Sequence, residues 1–164
     1  MDLSLLGGWY PWIKTLHVLS ATILVGTGFG SAFFKFRVDR VGDLPSIVFA
    51  SKTVVLLDWV LTTPAVLVQT ITGFVLVAIA GYSLTQTWIL LTLFLYVLTG
   101  CCWLPAVYLQ IRMRDFAIAA CESGGALPAE YYRFARIWFW LGVFGFGAVL
   151  QIVACMVVKP AWFD

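Results

Sequence analysis

The chain has one histidine, His17, and it falls inside a long apolar run three positions after Lys14. Residues three apart share one face of a helix. A neutral imidazole is the commonest side-chain metal ligand and also binds haem iron. A lysine one turn away suits an acidic group, such as a propionate of bound haem. The plainer reading is a neutral imidazole bonded to a neighbouring helix, with Lys14 reaching the bilayer surface along its methylenes. The same face continues through Ala21, Leu24 and Gly28. Gly26 and Gly30 form a G-x-x-x-G pair beside Ser31, a spacing that lets a helix or a flat ligand approach the backbone closely. Helix packing is its expected use.

Asp58 is the one carboxylate within an apolar run. At helical spacing its face passes through Thr62, Val66, Gln69 and Gly73. Thr62-Thr63-Pro64 predicts a kink, with threonine hydroxyls meeting the carbonyls that proline frees. The expected partner of Asp58 is a basic residue such as Arg112 or Arg136. A proton relay is disfavoured because no chain of further acids follows it. Gln69, Tyr96 and Gln151 lie in the same half of the bilayer as His17 and form one polar cluster if their faces turn inward. Met156, at similar depth, is either a second iron ligand or a packing residue. The candidate cofactor-binding set is therefore His17, Lys14, Gly28, Gln69, Tyr96 and Gln151, with His17 and Met156 as metal ligands. No residue identifies itself as catalytic.

These side chains must be positioned by four apolar runs, at roughly 12–34, 54–80, 88–111 and 137–158. A hydrocarbon core about 30 Å thick needs about 20 residues of helix, so each run suffices to cross a membrane. Apolar residues make up 62% of the chain and charged residues 11%, too apolar a mixture for a water-soluble domain, where charge is usually about 25%. The net charge of +2 is too small to argue for nucleic acid. Residues 1–8 carry no basic residue and do not resemble a cleavable signal, so the first span is expected to be retained. Cys101, Cys102, Cys121 and Cys155 include no C-x-x-C pair and are expected to be small buried apolar residues rather than a disulfide framework.

Lys35, Arg37, Arg40 and Lys52 fall between the first two spans, and Arg112, Arg114, Arg133 and Arg136 between the last two. The loop at 81–87 has no charge, and only Lys14 and Lys159 lie on its side. The positive-inside rule then places both termini outside. Trp9, Tyr10, Trp12, Tyr82, Trp88 and Trp162 would form the outer aromatic belt, and Tyr108, Tyr131, Tyr132 and Trp138 part of the inner one. Asp43 suits a helix cap ahead of Leu44-Pro45. Residues 112–121 extend the third span until Ser123-Gly124-Gly125 breaks it, and Pro128 suits the first turn of the next helix. The expected fold is all-α: a four-helix transmembrane bundle of up-down topology, one domain over 1–164, with helical extensions on the cytoplasmic side.

Several stretches carry a family resemblance. Trp12-Ile13-Lys14-Thr15-Leu16-His17-Val18-Leu19-Ser20-Ala21 with Gly26-Thr27-Gly28 resembles the opening of a bacterial integral membrane family of unknown function. Asp58-Trp59-Val60-Leu61-Thr62-Thr63-Pro64-Ala65-Val66, Cys102-Trp103-Leu104-Pro105, Gln110-Ile111-Arg112-Met113-Arg114-Asp115 and Val158-Lys159-Pro160 continue the likeness. The first-span Lys-x-x-His is also distantly similar to the haem-binding protoporphyrinogen oxidase HemJ and to the CopD copper-resistance membrane proteins. That similarity implies haem b as a cofactor, with His17 as axial ligand. The chain departs from those families in having no second histidine, which excludes a bis-histidine haem within one protomer. His/Met ligation, five-coordinate iron, a ligand from a partner or no haem stay open. The resemblance favours a redox protein of the bacterial cytoplasmic membrane. The competing readings are a cofactor-free assembly subunit, as a homo-oligomer or in a membrane complex, and a small transporter.

Overall fold

The computed structural model describes residues 8–160, and their regular structure is helical, with no strand among the described residues. The helices are α1 Tyr10–Val41, α2 Leu44–Leu57, α3 Thr63–Ile79, α4 Thr87–Ser123 and α5 Ala129–Val158. A single π-helical turn, Asp58–Thr62, joins α2 to α3. The described residues thus make four helices long and apolar enough to cross a membrane: Tyr10–Val41, Leu44–Ile79, Thr87–Ser123 and Ala129–Val158. This is the expected all-α four-helix bundle. Trp162 lies outside the described residues.

The helices outrun the hydrocarbon. The 37 residues of α4 span about 55 Å at 1.5 Å each, so α4 and α5 continue as a hairpin past the bilayer. Gly124 ends α4 in the left-handed region at φ 63°, and the Gly125 N–H returns to the Ala120 carbonyl at 3.0 Å, a helix stop that favours glycine. Pro128 stands one residue ahead of α5, in extended conformation, rather than inside its first turn. Between α1 and α2, Gly42 turns at φ 79°. Asp43 then caps α2, its carboxylate accepting from the Ser46 hydroxyl and from the Ser46 N–H at 3.0 Å. These bonds, the hydroxyl first, hold the Asp43 carboxyl below its usual range. The cap's contribution is therefore full above the unfolded pKa of about 3.9 and fades as pH falls through the lowered folded value.

The π turn has a local cause. Pro64 offers no N–H to the helix ladder, and the Thr63 N–H reaches back five residues to the Asp58 carbonyl. One extra residue rotates everything beyond it by roughly 100°. The stripe expected to run from Asp58 through Gln69 is therefore broken: Asp58 meets α4, while Gln69 meets α1.

The inner half holds the larger core, in which Ile47, Val54, Leu109, Met113 and Tyr131 are buried. A smaller cluster, Leu95, Ala148 and Cys155, sits between α4 and α5 in the outer half. The backbones approach closely at Gly145, where a Cβ would stand 3.2 Å from the Cys102 Cβ. The G-x-x-x-G pair serves no such contact among the described residues, since there a Cβ on Gly26 or Gly30 would meet nothing within 4 Å. Cys101 and Cys121 are exposed and only Cys155 is buried, so the expectation of four buried cysteines holds for one.

Two expected belt residues are interior. Tyr131 is 1% exposed and Trp138 9%, whereas Tyr108 and Tyr132 do lie at the surface. Tyr131 belongs to a closed triangle. The Lys35 ammonium, 2% exposed, donates to Asp39 Oδ1 and to the Tyr131 hydroxyl, both at 2.5 Å. Tyr131 in turn donates to Asp39 Oδ1 at 2.7 Å. A buried cation needs a partner and further hydrogen bonds, and this triangle supplies both while tying α1 to α5. At the opposite end Lys159 donates to the Tyr82 hydroxyl at 2.8 Å.

Tyr131→Phe removes two bonds of the triangle and leaves Lys35 with Asp39 alone. We expect a loss of about 1–3 kcal/mol, read as a lowered unfolding midpoint in detergent. Tyr132→Phe, at an exposed neighbour, should leave the midpoint in place.

Candidate functional site

His17 lies on the inner face of α1 against α3, and it is 9% exposed. Its Nδ1 is 2.8 Å from Thr72 Oγ1, and its Nε2 is 2.9 Å from Gln69 Nε2. The Thr72 hydroxyl proton goes to the Val68 carbonyl at 2.6 Å. Thr72 Oγ1 must then accept, so His17 carries its proton on Nδ1. Nε2 is thereby an acceptor, and the Gln69 amide donates to it. The Gln69 oxygen accepts from the Ser20 hydroxyl at 2.5 Å. Every group has the role its chemistry requires.

The ring is also held by shape. A Cβ on Gly73 would stand 3.3 Å from His17 Cε1, so the missing side chain is what lets the imidazole lie on α3. Helical spacing supplies the rest: Gln69, Thr72 and Gly73 share one face of α3, and His17 and Ser20 one face of α1.

Of the expected set, only His17 and Gln69 come together. Lys14 and Gln151 are exposed. Tyr96 is hydrogen-bonded to Thr70, not to Gln69. Gly28 faces Phe146, whose Cδ2 would be 3.9 Å from an added Cβ. Met156 is half-buried in the last turn of α5. Ser20 and Thr72 are the members that sequence reading missed, although Ser20 lies three residues after His17 and Thr72 three after Gln69.

As arranged, these residues do not fit an axial haem ligand. Iron requires a free imidazole nitrogen, and both are engaged by α3. Of the other residues expected to line a porphyrin slot, Gly28 has Phe146 beside it and Gln69 is engaged by His17 and Ser20. Among the described residues, no group of three or more His, Cys, Asp and Glu side chains converges to hold a metal ion.

A second polar centre lies deeper along the chain. Asp58 Oδ2 accepts from Gln110 Nε2, and Gln110 Oε1 accepts from the Trp138 indole N–H at 2.8 Å. Gln110 is itself buried. The expected ion pair with Arg112 or Arg136 is not made: among the described residues the ion pairs are Lys35–Asp39 and Arg114–Asp115. Arg112 instead lies 5.2 Å from the centroid of the Phe116 ring. A cavity of about 300 Å³ opens beside Asp58.

Residues 11–160 match the family model described as predicted integral membrane protein (DUF2269). No curated protein and no solved structure matches the chain.

Gln69→Leu leaves the imidazole Nε2 without its partner and the Ser20 hydroxyl with the His17 carbonyl alone, at 2.9 Å. A double-mutant cycle of His17→Ala with Gln69→Leu should return a coupling of about 0.6–2 kcal/mol, read from unfolding in detergent. Gly73→Ala should destabilise less when His17 is already alanine, because the Cβ then meets no ring.

Proposed function

The chain belongs to the DUF2269 family of predicted integral membrane proteins, and from that premise we propose that it acts without a bound cofactor, as a subunit of an assembly in the bacterial cytoplasmic membrane. The observation that carries this reading is the occupancy of both His17 nitrogens by Thr72 and Gln69. The one residue type that pointed to redox chemistry serves as an interhelical bolt. In lipid such polar contacts, with close packing of small residues, are what hold helices together.

Two features support an assembly role. Gly26 and Gly30 leave a strip of bare backbone on α1 that no neighbour among the described residues covers, and Phe29 beside them is 61% exposed. The α4–α5 hairpin, extending beyond the bilayer, offers a second surface. Its Arg112, Arg114, Arg133 and Arg136 place it on the cytoplasmic side by the positive-inside rule.

The test is purification from native membranes in mild detergent. We expect a protein without a Soret band, unchanged in absorption by His17→Ala, that migrates as a larger assembly which Gly26→Leu or Gly30→Leu dissociates. A Soret band lost in His17→Ala would overturn the reading, as would a monomer active on its own. Orientation is read from Cys121, exposed at the hairpin end. A membrane-impermeant maleimide should label it only after the cells are opened.

A further inference from the structure

The cavity beside the π-helical turn has an unusual lining for a place within the span. Its walls include Asp58, two indole rings, Trp59 and Trp103, and the apolar side chains of Val55, Leu104 and Val107. Its volume is about 300 Å³, at the lower end of the range for small-molecule sites. Trp59 is 61% exposed and Leu104 65%, so the mouth faces sideways into the acyl chains and not into water.

We propose that this pocket binds a lipophilic monovalent cation: an ammonium or phosphonium centre carrying an apolar body. The chemistry of the lining selects that class. Asp58 is hydrogen-bonded to Gln110 but has no ion-pair partner among the described residues. A carboxylate at membrane depth is expensive without an opposite charge. Indole is the best side chain for attracting a cation to its face, and the attraction grows when water is excluded. One carboxylate and two indoles line one cavity, a combination whose chemistry suits positive charge.

The same lining argues against other occupants. A small metal ion takes about six oxygen ligands. Here Asp58 and Thr63 supply theirs, but the Gln110 oxygen is already accepting from Trp138. A neutral apolar molecule would leave the carboxylate uncompensated. An organic cation needs few direct ligands, and its apolar body suits both the walls and entry from the bilayer.

Gln110 is the positioning residue. Trp138 holds its oxygen, which fixes the amide so that the N–H side faces Asp58. The π turn contributes as well, because it starts at Asp58 and rotates the remainder of the helix away to meet α1. The site does not depend on the assembly role, and its test uses no partner.

The probe is radiolabelled tetraphenylphosphonium, measured by equilibrium dialysis against the full-length protein in nanodiscs. We expect saturable binding to the unaltered protein and at least tenfold weaker binding to Asp58→Asn, which keeps an acceptor for Gln110 but loses the charge. Leu104→Trp, which narrows the mouth and leaves Asp58 intact, should weaken binding several-fold; it carries the test if Asp58→Asn fails to fold. Triphenylphosphine oxide, of similar shape and no charge, should not compete. Absence of saturable binding, equal binding by folded Asp58→Asn, or full competition by the neutral compound would each overturn the proposal.

Discussion

Hydrocarbon gives a polar side chain nothing to bond with, so each one along these helices must find its partner within the protein or remain at great cost. Three networks answer that requirement, each joining a different set of helices. Near the inner end Lys35, Asp39 and Tyr131 tie α1 to α5. Further in, Asp58, Gln110 and Trp138 link the π-helical turn between α2 and α3 to α4 and α5. In the outer half His17, Thr72, Gln69 and Ser20 join α1 to α3. Apolar attraction between helices is weak where the solvent is itself apolar. These few contacts therefore carry much of the specificity of packing, while most large apolar residues face outward.

The π turn lets one rod serve two of these networks. With uninterrupted α-helix, Asp58 and Gln69 would lie on a common face and compete for the same neighbour. The additional residue ahead of Pro64 sends the first toward α4 and the second toward α1. Such single π turns often mark functional positions, and here the turn begins at the residue whose carboxylate borders the cavity. Local backbone chemistry thus sets the helix partners, and the helix partners set which polar groups stay accessible.

The two polar centres differ in what they leave available. At His17 the donors and acceptors form a closed set, with the imidazole pressed onto Gly73 and both nitrogens taken. At Asp58 the side chain is oriented by Gln110 yet has no ion-pair partner among the described residues, and it borders open volume. Closed sets suit structure and open ones suit ligands. The residue that looked most chemical by type is thus the more fully hydrogen-bonded one, and the carboxylate expected to form a plain ion pair borders open volume instead.

Four membrane-length helices, the Asp43 cap, the Gly124 stop and a break near Pro64 were all legible in the sequence. Each depends on neighbours within a few residues: apolar run length, a capping oxygen, a glycine free to adopt positive φ, a missing N–H. Pairing was not legible. Nothing local says that Lys35 is buried against Tyr131 rather than left in a loop, that Trp138 turns inward to Gln110, or that Gly26 and Gly30 meet no neighbour among the described residues. One added residue of helix redirects everything after it, and a hydrogen bond between helices joins residues as far apart as His17 and Thr72. Composition and short-range spacing decided the solvent and the elements. Only the tertiary arrangement decided which polar groups satisfy one another, because that depends on helix rotation and contact across the bundle.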